Sequence, residues 1–130
     1  MKNLFLDGAD SQPKINFDID KRLFLIEGES YPEHTLDFYS PILTWLRDYI
    51  HSQQGDELVF DFRLYYFNSS TSKVFSDIFA LLESSVRAFE SIKINWYYEV
   101  DDDNMLEYGE EFQEDFPALQ FSLIEEDDED

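Results

Sequence analysis

The first hydrophobic segments of the chain are short and separated by polar residues, as in β-strands. Asn3–Leu6, Lys14–Asp18 and Arg22–Glu27 are rich in Phe, Ile and Leu. Only Ile19-Asp20-Lys21 separates the second segment from the third, so these two predict an antiparallel hairpin. The first segment predicts a shorter additional strand.

The next hydrophobic pattern has the period of a helix. Ser30 stands three residues before Glu33, which is the spacing of a capping box, and Pro32 fits a first turn because its missing N–H is harmless there. Two adjacent apolar stripes follow, one of Leu36, Tyr39, Leu43, Leu46 and Ile50, the other of Phe38, Ile42, Trp45 and Tyr49. We interpret the second stripe as a widening of the buried face, with a partner-binding surface as the alternative. Pro41 predicts a kink or break near Tyr39.

The rest of the chain alternates apolar strands with amphipathic helices. The pattern predicts a buried central strand over Leu58–Phe67, a helix over Ser70–Glu90, a strand over Ile92–Tyr98, a helix marked by Met105, Phe112 and Phe116, and a strand over Ala118–Ile124. This order predicts right-handed βαβαβ crossovers and a parallel part of the sheet, joined to the antiparallel hairpin. The fold class is therefore α/β, one domain over residues 1–124 with a mixed sheet. The acidic run over residues 125–130 predicts a disordered tail.

The charge of the chain limits the classes of partner that it is expected to bind. It carries 30 acidic and 9 basic residues, a formal net charge of -21, and 15 of the acids lie in Glu99–Asp130, which has no basic residue. Such a charge repels phosphodiester backbones and anionic lipids, so we expect protein partners and neither nucleic acid nor membrane. Asp101–Asp103 lacks the spacing of an EF-hand loop and is expected to cap the next helix.

Signals for catalysis, metal binding and secretion are weak. The chain has no cysteine, which fits a reducing compartment, and its start has no apolar stretch of signal-peptide length, so the cytoplasm is the expected location. His34 and His51 belong to no catalytic or metal motif. Carboxylate pairs are so frequent here that none indicates acid–base catalysis. We expect a protein without enzyme activity, cofactor or metal centre.

One cluster of hydroxyl side chains stands at the junction of the central strand and the second helix. Asn68-Ser69-Ser70-Thr71-Ser72-Lys73 brings four hydroxyls to a helix amino terminus. Unpaired N–H groups and the helix dipole favour a phosphate there, bound or covalently attached. Capping by one Ser or Thr, with the others in the turn, is the alternative interpretation.

A set of spaced motifs extends over Asn3–Leu123. They are Gly8, Pro13, Gly28–Glu33, the aromatic helix with Trp45, Leu64–Lys73, Asp77–Glu83, Trp96–Tyr98 and Glu110–Asp115. Together they resemble the SiaC family of bacterial regulatory phosphoproteins. The resemblance implies a STAS-like fold, similar to the anti-sigma-factor antagonists, and a non-enzymatic role as the phosphorylated member of a partner-switching cascade.

The resemblance also implies partners and a modified residue. A histidine-kinase-like serine/threonine kinase adds the phosphoryl group, a metal-dependent serine/threonine phosphatase removes it, and the unmodified form binds an output protein such as a diguanylate cyclase. The family acceptor follows the Asn of a tyrosine-x-asparagine motif, which corresponds to Ser69 here, where the family often has Thr. Ser70 and Thr71 remain alternatives. If the output protein reads the phosphorylation state directly, the expected partner-binding residues are Asn68, Ser69, Ser70, Lys73 and Asp77.

Two other functions fit the same residues. In the first, the chain is a constitutive acidic adaptor whose hydroxyl cluster only caps a helix and whose acidic carboxyl-terminal third docks on a basic protein. In the second, it is a small phosphate-handling enzyme that uses the same helix amino terminus. A covalent phosphoryl group would favour the switch over both.

Overall fold

Six β-strands form one mixed sheet in the computed structural model, which describes residues 1–53 and 55–127. The elements are β1 (Leu4–Leu6), β2 (Lys14–Asp18), β3 (Leu23–Ser30), α1 (Thr35–Ser52), β4 (Leu58–Phe67), α2 (Ser69–Glu83), a 3-10 turn (Val86–Ala88), β5 (Ile92–Glu99), α3 (Asp103–Asp115) and β6 (Gln120–Glu126). The strands lie side by side in chain order. β1, β2 and β3 pair antiparallel, and β3 to β6 pair parallel. The predicted α/β class and mixed sheet are confirmed.

All three helices pack on the same face of the sheet. Alternate residues of a strand point to opposite faces, and in the first seven residues of β4 the buried side chains are those of Leu58, Phe60, Phe62 and Leu64. Phe62 contacts α2 through Phe75, with ring centroids 5.3 Å apart. Tyr49 of α1 and Phe112 of α3 contact buried rings of β3 and β5 in the same way. The crossover helices therefore cover one face.

Two glycines are required for different reasons, one by its backbone conformation and the other by a close approach. Gly28 has a φ of +113° at a register shift, where Gly28 pairs with Leu64 but Glu29 pairs with Tyr66. A side chain at Gly109 would place its Cβ 2.5 Å from the Trp96 ring. Because only glycine fits there, the backbone of α3 lies directly on the buried indole.

The start of α1 differs from the prediction. β3 continues through Ser30 and the helix begins at Thr35, so Pro32 precedes the helix. The predicted capping box is wrong, because the N-cap residue is His34, which makes no side-chain capping bond. Ser30 is instead the last residue of a strand, and its hydroxyl is used in a buried hydrogen-bond network.

The course of α1 differs as well. The helix continues through Pro41, so the predicted break is wrong. Pro41 lies on the exposed side of the helix. It has no N–H to donate to the carbonyl one turn earlier, and water can bind that carbonyl instead. Leu36, expected in the core, is 64% exposed. The other residues of both stripes are buried or half-buried, which confirms the wide buried face.

Local hydrogen bonds correct one predicted helix end and confirm one predicted helix cap. α2 ends at Glu83, short of the predicted Glu90, where the hydroxyls of Ser84 and Ser85 both donate to the carbonyl of Leu81. The expected capping by the acidic triple is confirmed, because Asp102 accepts from the N–H of Met105.

The last strand is longer than predicted. β6 continues through Glu126, so the first two residues assigned to the disordered tail, Glu125 and Glu126, pair with β5. The carboxylate of Glu126 lies 2.6 Å from the guanidinium of Arg63, which fixes the end of the strand. Residues 128–130 of the predicted tail lie outside the described residues. Within residues 1–53 and 55–127, no helix is both long and apolar enough to cross a membrane.

Candidate functional site

The hydroxyl cluster lies at the carboxyl end of β4, a central strand of the sheet. Asn68 connects the strand to α2 and is its N-cap: its side-chain oxygen accepts from the N–H of Thr71 at 2.9 Å. Its own N–H donates to the carbonyl of Ser30 at 3.1 Å. The predicted strand–helix junction is confirmed, but the cap is the Asn and not a Ser or Thr.

Thr71 is fully buried beneath this junction. Its hydroxyl lies 2.8 Å from the Ser30 hydroxyl and donates to the Ser30 carbonyl at 3.1 Å. The Ser30 hydroxyl in turn lies 2.7 Å from that of Tyr39. All three side chains are completely inaccessible to solvent. The network joins the end of β3, the middle of α1 and the first turn of α2.

The protons of this network have one consistent order. Since Thr71 donates to the Ser30 carbonyl, its oxygen accepts from Ser30, and Ser30 accepts from Tyr39. Burial raises the pKa of the Tyr39 phenol far above its usual value, although hydrogen bonding with the Ser30 and Thr71 side chains acts in the opposite direction. Tyr39 therefore stays neutral and donates its proton.

Ser69 and Ser70 are both exposed but face different surroundings. Ser70 lines a cleft of about 620 Å³ between the amino-terminal turns of α1 and α2. The other lining residues are Glu33, His34, Thr35, Leu36, Asp37, Lys73, Val74 and Asp77. Ser69, the first residue of α2, does not line it. The cleft next to Ser70 is therefore lined by three carboxylates and one lysine.

The predicted partner-binding residues are brought together in part. Ser70, Lys73 and Asp77 line the same cleft, and the last two are exposed. Ser69 lies one helical turn before Lys73, so both are on one side of α2. Asn68 is half-buried, and its side chain is occupied as the helix cap.

Sequence reasoning missed the residues that α1 and β3 contribute to the site. Ser30 was identified as a helix cap, Tyr39 as an ordinary core residue, and Leu36 as part of the buried stripe. The only sequence signal for their roles is the polar Ser30 at the end of an apolar strand segment, which leaves its partners undefined. His34 and His51 stay apart, and the described part of the chain holds no group of three or more His, Asp or Glu side chains placed to bind a metal ion.

Comparison with known proteins identifies relatives of this chain. The family model described as SiaC family regulatory phosphoprotein matches residues 6–126. An uncharacterized protein of Pseudomonas aeruginosa (strain UCBPP-PA14) is 30% identical over 115 residues, which cover 88% of this chain and 90% of that protein.

Two solved structures are similar over nearly the whole fold. The crystal structure of apo-SiaC from P. aeruginosa is 30% identical, with a TM-score of 0.82 over 97% of this chain and 99% of that one. A SiaC chain in the structure of the diguanylate cyclase SiaD with its activator SiaC is 28% identical, with a TM-score of 0.83 over 95% of this chain and 98% of that one.

Proposed function

The chain belongs to the SiaC family of regulatory phosphoproteins, and on that premise we propose that it is a non-enzymatic cytoplasmic switch. Its phosphorylation at the junction of β4 and α2 selects the protein that it binds. A histidine-kinase-like serine/threonine kinase adds the phosphoryl group and a metal-dependent phosphatase removes it. The unmodified form binds an output protein of the diguanylate cyclase class.

The observation that supports Ser69 as the acceptor is the difference in environment among three adjacent hydroxyls. Thr71 is buried, and its hydroxyl already bonds Ser30. A kinase could reach it only after the first turn of α2 opened. Ser69 is exposed and needs no such opening.

The charge of a phosphoryl group would have different effects at the two exposed serines, Ser69 and Ser70. A phosphoserine carries about -1.5 to -2 charges. At Ser70 that charge would enter the cleft that Glu33, Asp37 and Asp77 line. At Ser69 it would lie outside that cleft but still in the first turn of α2, where an anion gains roughly 0.3–1 kcal/mol from the helix dipole. Phosphorylation of Ser69 is therefore compatible with the fold.

The output class is supported by the relatives. SiaC of P. aeruginosa is described as the activator of SiaD, with which it was crystallised, and this chain shares its fold. A phosphoryl group at Ser69 would have to be desolvated or face like charges in such a complex, which can cost several kcal/mol. Modification then changes binding and leaves the fold in place.

The test compares two forms of the same protein. The chain is purified from a bacterial host that carries the kinase and divided into a phosphorylated sample and a phosphatase-treated sample. Binding of the P. aeruginosa cyclase SiaD, used as the probe, is measured by calorimetry. We expect the treated form to bind at least about tenfold more tightly, a difference of about 1.4 kcal/mol.

The adaptor hypothesis makes the opposite prediction. A constitutive acidic adaptor binds its partner equally in both samples, or carries no phosphoryl group at all. Equal affinity of two forms that differ in mass by a phosphoryl group would overturn the proposed switch.

A further inference from the structure

The segment that carries both exposed serines is held at its two ends by one carbonyl group, that of Ser30. The N–H of Asn68 donates to this carbonyl at 3.1 Å, and the hydroxyl of Thr71 donates to it at 3.1 Å as well. Asn68 directly precedes Ser69, and Thr71 directly follows Ser70. The first turn of α2 is therefore fixed to the end of β3 on either side of the two serines.

The buried position of Thr71 sets the rotation of this first turn about the helix axis. Successive residues of an α-helix are about 100° apart around that axis. Ser69 is two residues from Thr71, about 200° away, so it lies on the side of α2 opposite to the core. Ser70 is one residue from Thr71 and lines the cleft between α1 and α2. The two serines face different directions because Thr71 faces inward.

The rest of α2 has the same arrangement of sides. Its buried residues are Thr71, Val74, Phe75, Ile78, Phe79 and Leu82. Its residues in the cleft are Ser70, Lys73, Val74 and Asp77. Because the core holds the helix along its whole length, a change in the serine that faces outward would need a rearrangement of the first turn alone.

Such a rearrangement would break the buried network. To bring Ser70 to the outward position of Ser69, the first turn would have to rotate by one residue, about 100°. The same rotation would take Thr71 out of the core and away from Ser30. The Ser30 hydroxyl would then stay buried beside Tyr39 without the group to which it donates. A buried polar group that loses its partner is costly, so the network opposes the presentation of Ser70.

We propose that Thr71 determines which serine is modified: its buried hydroxyl, held by Ser30 and Tyr39, positions Ser69 for the kinase and keeps Ser70 in the cleft. Thr71 is a positioning residue and does not itself react. In the reaction, the Ser69 oxygen forms a bond to the terminal phosphorus of a nucleoside triphosphate, the bond from that phosphorus to the nucleoside diphosphate breaks, and the hydroxyl proton passes to a base supplied by the kinase. This inference rests on the proposed function, because it requires that Ser69 is the acceptor.

The experiment measures both the rate and the position of phosphorylation. Wild type, Thr71→Val and Ser30→Ala are each incubated with the purified histidine-kinase-like kinase and Mg²⁺-ATP. Initial rates over a range of concentrations of the chain give kcat and KM, and tandem mass spectrometry gives the share of phosphate on Ser69 and on Ser70. Thermal melts verify that each variant is folded, and Ser30→Ala provides the test if Thr71→Val does not fold.

Two further variants separate positioning from stability. Thr71→Ser keeps the hydroxyl and should restore the behaviour of wild type. Ile92→Val removes one methyl group from a buried side chain at the start of β5, which is 2% exposed and lies at the other end of the sheet from the first turn of α2. It lowers stability, as removal of a buried methyl group does in general, but leaves the network intact.

We expect Thr71→Val and Ser30→Ala to lower kcat at Ser69 by about tenfold, since misplacement of a reacting group slows the chemical step. KM should stay within about threefold of wild type, because the exposed surface that the kinase contacts is unchanged. The share of phosphate on Ser70 should rise in both variants. Thr71→Ser and Ile92→Val should keep the kcat of wild type and its modification at Ser69.

Two results would overturn the role of Thr71. One is a wild-type kcat with modification at Ser69 alone in the folded network variants. The other is an equal fall of kcat in Ile92→Val, because loss of stability would then explain the effect. Either result, in a wild-type chain that is modified at Ser69, leaves the proposed function in place. A wild-type chain that takes up no phosphoryl group, or takes it up on Ser70, overturns the proposed acceptor and this inference together.

Discussion

The side-chain hydroxyl of Thr71 lies 2.8 Å from that of Ser30, although the two residues are 41 positions apart in the chain. The contact links the first turn of α2 to the end of β3. With Tyr39 it forms a buried network under the two exposed serines. This network holds the segment that we propose is modified, and it makes Thr71 the least accessible of the three hydroxyls.

The first prediction concerns this network. Thr71→Val keeps the shape of the side chain but removes the hydroxyl that Ser30 donates to. It should lower the free energy of unfolding by about 1–3 kcal/mol, the cost of leaving a buried polar group without its partner. Urea unfolding measures the change. The control Thr71→Ser keeps the hydroxyl, and equal losses in both variants would contradict a role for the hydrogen bonds.

Alkaline pH provides a second test of the network. Burial raises the pKa of Tyr39 above the usual 10.0. Below pH 10 the folded and unfolded phenols are both neutral, so the contribution to stability is complete. Above pH 10, the phenol loses its proton in the unfolded state before it does so in the folded state. The free energy of unfolding therefore falls by up to about 1.4 kcal/mol per pH unit.

Tyr39→Phe should therefore reduce the loss of stability between about pH 9 and about pH 11. Urea unfolding at both pH values measures it. Tyr65→Phe, which removes a hydroxyl from an exposed side chain, is the control. A Tyr39→Phe variant whose stability falls as steeply as that of wild type would show that Tyr39 is not the residue that titrates.

The sequence predicted the elements of this fold much better than the roles of their terminal residues. The nearly continuous apolar run of β4 and the helical stripes of α1 are local features of the sequence, so they were recognisable without tertiary contacts. Ser30 and Glu33 have the spacing of a capping box. Pairing of β3 with β4 nevertheless extends the strand through Ser30, and a network from three elements then uses its hydroxyl.

The candidate site was predictable where it is local. The junction of β4 with α2 follows from the turn residues, and Asn68 with its hydroxyls stands within it. The exposure of each hydroxyl was not predictable from the sequence. Ser70 and Thr71 are adjacent, yet Ser70 lines an acidic cleft and Thr71 lies in the core. Leu36 fits the helical period of the core stripe, but it lies in the first turn of α1 and is exposed along the cleft.

A third prediction concerns the cleft between α1 and α2. Lys73→Ala and Asp77→Ala should each weaken cyclase binding, because both side chains line the cleft beside Ser70. Their free energies of unfolding should change by about 0.5 kcal/mol or less, as for exposed substitutions in general. Lys21→Ala, in the exposed turn between β2 and β3, is the control. Unaltered affinity in both cleft variants would place the contact elsewhere.

The end of β6 gives a fourth prediction. Removing residues 125–130 takes away two paired strand residues and the carboxylate that contacts Arg63. Unfolding should stay cooperative, but its midpoint should be lower than in a chain that lacks only residues 127–130. Both truncations remove the same last residues, so the difference reports on Glu125 and Glu126. Identical midpoints would show that the end of β6 adds no stability.

The most direct test of the account is the mass of three proteins purified from a host that carries the kinase: wild type, Ser69→Ala and Ser70→Ala. If Ser69 is the acceptor, wild type and Ser70→Ala will carry one phosphoryl group, and Ser69→Ala will carry none while it still binds the cyclase. Full modification of Ser69→Ala would contradict the assignment. The absence of a phosphoryl group from all three would contradict the switch itself.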